Sequence, residues 1–224
     1  MAQRHLSRSK KPIRRLRRVD PKRVLQDAEF IKMQTWAMAV LQNAVDTDTG
    51  LTTLELRNAV IVLVLLGTAA RRFELCAFRC GNFYLINAEP YAHFDQGKGN
   101  IEAAIPLSDQ TWQHVQQWLA IKQKIGEKTG TNDPLFCGRD GGYLSRAQLN
   151  NIWNTLLATT GVAKKHRIGP HSARHTAGML YLRATGSLPK TREFMRHSDV
   201  SVTERFYAHV LPSDVRAGMN KAGL

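Results

Sequence analysis

Residues 52–78 read TTLELRNAVIVLVLLGTAARRFELCAF, and this stretch decides the fold. Thr52 followed three residues later by Glu55 is a capping box, so a helix opens there. It runs to about Gly67 and is apolar nearly all round, the pattern of a helix buried on every side. A further helix is expected from about Thr68 to Phe78, with Arg71 near its start and Glu74 and Leu75 inside it. The apolar run 59–70 is too short to cross a bilayer, which needs about 20 residues.

On the N-terminal side, residues 25–45 show helical periodicity through Phe30, Met33, Trp36, Met38 and Leu41. In front of them lies a segment with almost no apolar content. Arg4, Arg8, Lys10, Lys11, Arg14, Arg15, Arg17, Arg18, Lys22 and Arg23 face one acid, Asp20. Such a segment builds no core and reads as a disordered arm that settles along a phosphate backbone. On the C-terminal side, FYLI, YAHF and IEAAIPL within 82–107 are short β-prone runs. The last two are joined by DQGKGN, a turn that puts Lys98 at a hairpin tip. Helices are expected again at 109–125, 145–160, 171–185, 189–196 and 201–210. The class is mainly α with one small antiparallel sheet (α+β). The expected organisation is a basic arm over 1–25, a main domain over 26–210 and a tail helix over 211–224.

The chain of 224 residues carries a formal net charge of +14 and a pI near 10.1. That balance points to a polyanionic partner, because neutralising phosphates releases counterions. Its three cysteines, Cys76, Cys80 and Cys137, are an odd count with no secretory signal, which fits reduced thiols in a cytoplasm. Finger-like spacing of Cys and His is missing, and no acidic cluster suited to Mg²⁺ is evident, so no metal and no cofactor are expected.

Several polar residues sit badly with a plain helical bundle. His171 and Arg174, in HSARHTAG, share one helix face. His197 follows a short helix, and Tyr207 lies on the next, opened by Ser201 with Glu204. In order along the chain, four segments resemble the tyrosine recombinases of the phage integrase type. TAARRFELCAF is similar to that family's Thr-Gly-Leu-Arg-x-x-Glu-Leu segment, with Arg71 the matching arginine. GKGNIEAAIPL is similar to its Gly-Lys-Gly hairpin, HSARHTAG to its His-x-x-Arg-His-Thr, and MRHSDVSVTERFYAHV to its Gly-His-Ser…Tyr-x-His tail.

The resemblance implies the family's catalytic-domain fold and a site-specific DNA recombinase. Tyr207 would be the nucleophile, forming a 3′-phosphotyrosine and releasing a 5′-hydroxyl. Arg71 and Arg174 would clamp the scissile phosphate, and Lys98 would protonate the leaving oxygen. His171 would be the acid/base partner, His197 would hydrogen-bond the phosphate, and Glu74 would orient its neighbours. The physics suits these roles. Two guanidiniums bind a phosphate bidentately and supply preorganised charge, and nearby arginines favour a phenolate. The implied partners are double-stranded DNA, a dimer on a site, a tetramer in synapsis and accessory DNA-bending proteins. No membrane is involved, and the implied location is the nucleoid-associated cytoplasm. A type IB topoisomerase-like relaxer and a non-catalytic DNA-binding regulator are the alternatives.

The chain also departs from the pattern. Ala69 and Ala70 stand where the family has Gly-Leu. Arg196 stands before His197 where glycine is usual; it would crowd the turn or add a DNA contact. His197 to Tyr207 is one residue longer than the commoner spacing. In place of an N-terminal helical domain the chain shows only the arm and a short helical lead. It is then either a minimal enzyme or part of a longer one, and the arm would supply grip. About six to ten phosphate contacts would make affinity fall roughly 10³–10⁵-fold over a modest rise in salt. The tail 211–224 would dock on a neighbouring protomer or on its own core.

Overall fold

The computed structural model describes residues 25–46, 52–95, 102–162, 168–197 and 219–220. Lys98, Tyr207, the arm and nearly all of the tail lie outside the described residues. The chain order is α1 (Asp27–Asp46), α2 (Thr53–Thr68), α3 (Arg72–Ala77), β1 (Phe83–Ile86), β2 (Glu89–Phe94), β3 (Ala103–Pro106), α4 (Asp109–Lys124), α5 (Arg146–Thr159), α6 (Pro170–Thr185) and α7 (Leu188–Met195).

Helix α2 is the post around which the rest is assembled. Its Thr52 cap accepts from the Glu55 amide while the Glu55 carboxylate accepts from the Thr52 amide. Residues Ala59 to Leu65 are all buried, and α1, α4 and α6 pack around them. Each aliphatic side chain taken out of water there stabilises the fold by about 1.5–3 kcal/mol. On α1 the buried stripe is Met33, Ala37, Val40 and Leu41, whereas Met38 is turned outward. The 3.6-residue period selects the Ala37 side and leaves Met38 off it.

The sheet is antiparallel in the order β1-β2-β3. Asn87 and Ala88 link its first two strands with φ of 50° and 67°, the backbone of a type I′ turn. Phe78, just after α3, packs against Phe83 and Phe94, which joins the sheet to the helix that follows Arg71. At the sheet's open end Asp95 accepts from Arg79 at 2.7 Å and from Asn82 at 3.2 Å. That anchors the end of β2 to the chain after α3.

The third helix starts later than the sequence pattern suggests. Ala69 closes α2 with φ 48° and ψ 35°, Arg71 is extended, and α3 begins at Arg72. The left-handed residue ends the 3.6-residue path, so Arg71 becomes the cap of α3. The Glu74 carboxylate accepts from its amide at 2.6 Å.

At Gly67 helix α2 packs directly against Thr111 of α4. A Cβ at this position would lie 2.2 Å from Thr111 Oγ1 and 2.6 Å from its Cγ2. Alanine gains about 1 kcal/mol over glycine in a helix, but overpacking of this kind costs about 1–3 kcal/mol. Gly67→Ala is therefore expected to lower the urea midpoint, and adding Thr111→Ala to recover part of the loss. A midpoint at or above wild type in the single variant would show that the helices part freely.

Candidate active site

The end of α2, the start of α3, the first turns of α6 and the end of α7 meet at one carboxylate. Glu74 lies in the first turn of α3, and its side chain is 2% exposed. Arg71 Nη1 donates to its Oε1 at 2.5 Å, and Arg196 Nη2 donates to its Oε2 at 3.0 Å. Arg174 Nη1 stands 4.0 Å from Oε2. Three guanidiniums against one carboxylate leave positive charge in excess. Burial works to raise the Glu74 pKa, but the charge of Arg196 and the bonds and charge of Arg71 outweigh it and hold the carboxyl below its ordinary value.

Each arginine is also fixed by main-chain oxygens. Arg174, on α6 and 1% exposed at its side chain, donates from Nη1 to Ala69 O at 2.5 Å and from Nη2 to Met195 O. Arg71 Nη2 donates to Arg196 O at 2.8 Å. Carbonyls at two helix ends, where α2 and α7 leave acceptors unpaired within the helix, thus set the planes of both guanidiniums. Helix C-termini also favour cations.

His197 follows directly, its amide donating to Arg192 O at 3.1 Å. Burial first, then Arg174, Arg71, Arg196 and His171, push its imidazole down to about 3. It is therefore neutral at pH 7 and offers one donor and one acceptor. His171 is exposed on the first turn of α6, its ring centroid 4.2 Å from that of His175 in an edge-on contact. His175 is buried one turn below. A cleft of about 710 Å³ opens alongside, walled by Arg71, Glu74, Arg196 and His197 together with Phe94, Ile105 and Phe194.

Among the residues singled out by sequence, the structure brings together Arg71, Glu74, Arg174 and His197, with His171 at the rim. Arg196 is placed differently from the expected DNA contact. Its side chain is 7% exposed and turned inward, donating to Thr68 O, Phe194 O and Ala69 O as well as Glu74. It belongs to the floor of the site and not to an outward surface. Sequence offered no sign of this, since an arginine in place of a turn glycine reads most simply as a surface charge. Lys190 on α7, which lines the cleft, was also not singled out.

A profile described as "Phage integrase family" matches residues 37–214. The chain belongs to the phage integrase family. Among its relatives, Tyrosine recombinase XerC of Corynebacterium glutamicum is 29% identical over 169 residues, 75% of this chain and 51% of that protein. Tyrosine recombinase XerD of the same organism is 25% identical over 179 residues, 80% of this chain and 57% of that protein. The chain thus spans about half the length of these phage integrase relatives. In fold it is similar to the XerH site-specific recombinase solved bound to palindromic difH substrate. That match has a TM-score of 0.69 and 18% identity, covering 92% of this chain and 54% of that one. The crystal structure of XerA recombinase matches with a TM-score of 0.68 and 19% identity, covering 89% and 64%. In this phage integrase member none of the described helices is long and apolar enough to cross a membrane.

The depressed His197 pKa carries a pH signature. The unfolded chain takes up a proton at this residue near pH 6.5, and the folded chain does so only near pH 3. Between those values the unfolded state binds more protons, so stability present above pH 6.5 is lost as the pH falls. The urea midpoint should drop from pH 7 to pH 4.5, and His197→Gln should flatten that slope. An equal slope in the variant would contradict the assignment.

Proposed function

We propose that this chain catalyses site-specific recombination of DNA, cutting and rejoining strands through a 3′-phosphotyrosine at Tyr207. The observation that carries the proposal is the convergence of Arg71, the cap of α3, and Arg174, on α6, on the Glu74 carboxylate. It occurs in a chain whose relatives are named tyrosine recombinases. An excess of fixed positive charge, oriented before any ligand arrives, is what a phosphoryl transition state requires.

In this scheme Arg71 and Arg174 hold the non-bridging oxygens of the scissile phosphate. A guanidinium has five N–H donors, so the carbonyl and carboxylate bonds that orient Arg71 leave others to turn toward the phosphate. Tyr207 Oη attacks phosphorus as His171 takes its proton. The bond to the 5′-oxygen breaks, and Lys98 supplies that oxygen's proton. His197, neutral at working pH, adds a hydrogen bond to the phosphate. Rejoining reverses these steps, with a 5′-hydroxyl attacking the phosphotyrosine. The ester conserves the bond energy, so no nucleotide hydrolysis is needed.

Double-stranded DNA is the partner this chemistry needs, and the basic arm (Arg4 to Arg18) would add salt-sensitive grip. Dimers on a site, tetramers in synapsis, accessory DNA-bending proteins, docking of the 211–224 tail and a nucleoid-associated cytoplasmic location belong to the same proposal. The solved XerH relative is described as bound to its difH substrate, and the Tn1549 transposon integrase as in complex with circular intermediate DNA.

The test is a nicked suicide duplex carrying the chain's own recombination site, with the protein–DNA adduct separated under denaturing conditions. Wild type should form the adduct, and Tyr207→Phe should lose it while still shifting the duplex in a native gel. An adduct that persists in the Phe variant would overturn Tyr207 as nucleophile. Site binding by wild type with no adduct would favour a regulator over a recombinase.

A further inference from the structure

Two turns support this site, and neither contains glycine. Ala69, which ends α2, has φ 48° and ψ 35°. Arg196, which ends α7, has φ 50° and ψ 47°. Both lie in the left-handed region, which glycine enters freely and other L residues enter at a penalty. A side chain held in that region persists only where its surroundings over-determine it.

The surroundings do so chiefly through the Arg196 side chain. Arg196 Nη2 donates to Ala69 O at 3.1 Å and Nη1 to Thr68 O at 3.0 Å, which fixes the end of α2. Nη1 also donates to Phe194 O at 3.1 Å, which fixes its own turn. The guanidinium stacks 3.6 Å from the centre of the Phe94 ring, so β2 serves as its backstop. The Arg196 carbonyl accepts from Arg71 Nη2. Arg174 adds a second rung between the same two turns, from Ala69 O to Met195 O. Arg71 lies two residues beyond one turn and His197 one residue beyond the other. Whatever holds the turns therefore sets the separation of these two groups.

Arg196 also acts by charge. Glu74 can neutralise one guanidinium. With Arg196 on its Oε2, the charge of Arg71 and Arg174 is less fully neutralised and stays available to an anion. Burial lowers the Arg196 pKa to about 10, so the side chain is still a cation at neutral pH.

We propose that Arg196 is a positioning residue that bolts the left-handed Ala69 and Arg196 turns together, holding Arg71 and His197 at phosphate-binding separation. Arginine does by hydrogen bonding here what glycine does elsewhere by conformational freedom. The proposal rests on the phosphate-binding role given above to Arg71.

The test is a double-mutant cycle on the full chain using Ala69→Gly, Arg196→Gly and the pair. Urea midpoints are measured alongside affinity for inorganic phosphate, read from the ring NMR signals of His171 and His197. Arg196→Gly alone should lower the midpoint and weaken phosphate binding roughly tenfold. In the Ala69→Gly background the same change should weaken phosphate binding far less, because glycine holds that turn unaided. Arg196→Lys should recover part of the affinity through its charge. Strictly additive effects on phosphate affinity would overturn the proposal, since the two turns would then be uncoupled. Loss of phosphate affinity in Arg196→Gly that is equal in both backgrounds, with an unchanged midpoint, would make Arg196 an anion ligand and overturn it as well. Neither readout uses DNA cleavage, so absence of a Tyr207 adduct would remove the recombinase reading and leave the coupling standing.

Discussion

The structure depends on a single buried carboxylate. Glu74 is an anion inside the protein, and removing such a group from water costs several kcal/mol unless partners compensate. Here the compensation comes from Arg71, Arg196 and Arg174, which arrive from three different parts of the chain. Each of those guanidiniums would be unfavourable in the same place without the carboxylate. The cluster is therefore mutually dependent, and deleting one partner of such a pair typically destabilises by about 3–5 kcal/mol. That dependence brings Arg71 and Arg174 to their places in the folded chain before any ligand is present.

The rest of the fold supplies what the carboxylate cannot, which is fixed helix ends. Helix α2 is buried all round from Ala59 to Leu65, and Thr68 at its end is buried as well, which holds its C-terminus in place. α6 packs against it and brings Arg174 to the Ala69 carbonyl. α7 packs on α6 and brings its own terminal carbonyls to Arg174 and Arg71. Unpaired oxygens at two helix ends and the guanidiniums of two arginines satisfy one another. Core packing and site geometry are in this sense one arrangement. Gly67, which lines the cleft beside the site, belongs to the same post.

Much of this was legible in the residues. The Thr52–Glu55 box, the uninterrupted apolar run of α2 and the β-prone runs after Asn82 placed the main elements. The ordered motifs picked out Arg71, Glu74, His171, Arg174 and His197. The two left-handed turns were not legible, because the usual signal for such backbone is glycine and the chain has alanine and arginine there. The start of α3 was misplaced for the same reason. The inward turn of Arg196 depends on carbonyls more than a hundred residues away in sequence, which no local pattern reports. Lys122 has the same character. Its side chain is 0% exposed, with its ammonium on Glu127 at 2.6 Å and near Cys137 Sγ at 3.3 Å, a burial set by residues outside its own helix.

The central claim is that Glu74 is held as an anion by the arginines around it in the unliganded protein. A ¹³C NMR titration of the glutamate side-chain carboxyls, with the Glu74 signal assigned through Glu74→Gln, tests it directly. Glu74 should titrate below the ordinary glutamate value of about 4.3. A titration at or above that value would mean that burial outweighs the arginines, and would contradict the claim.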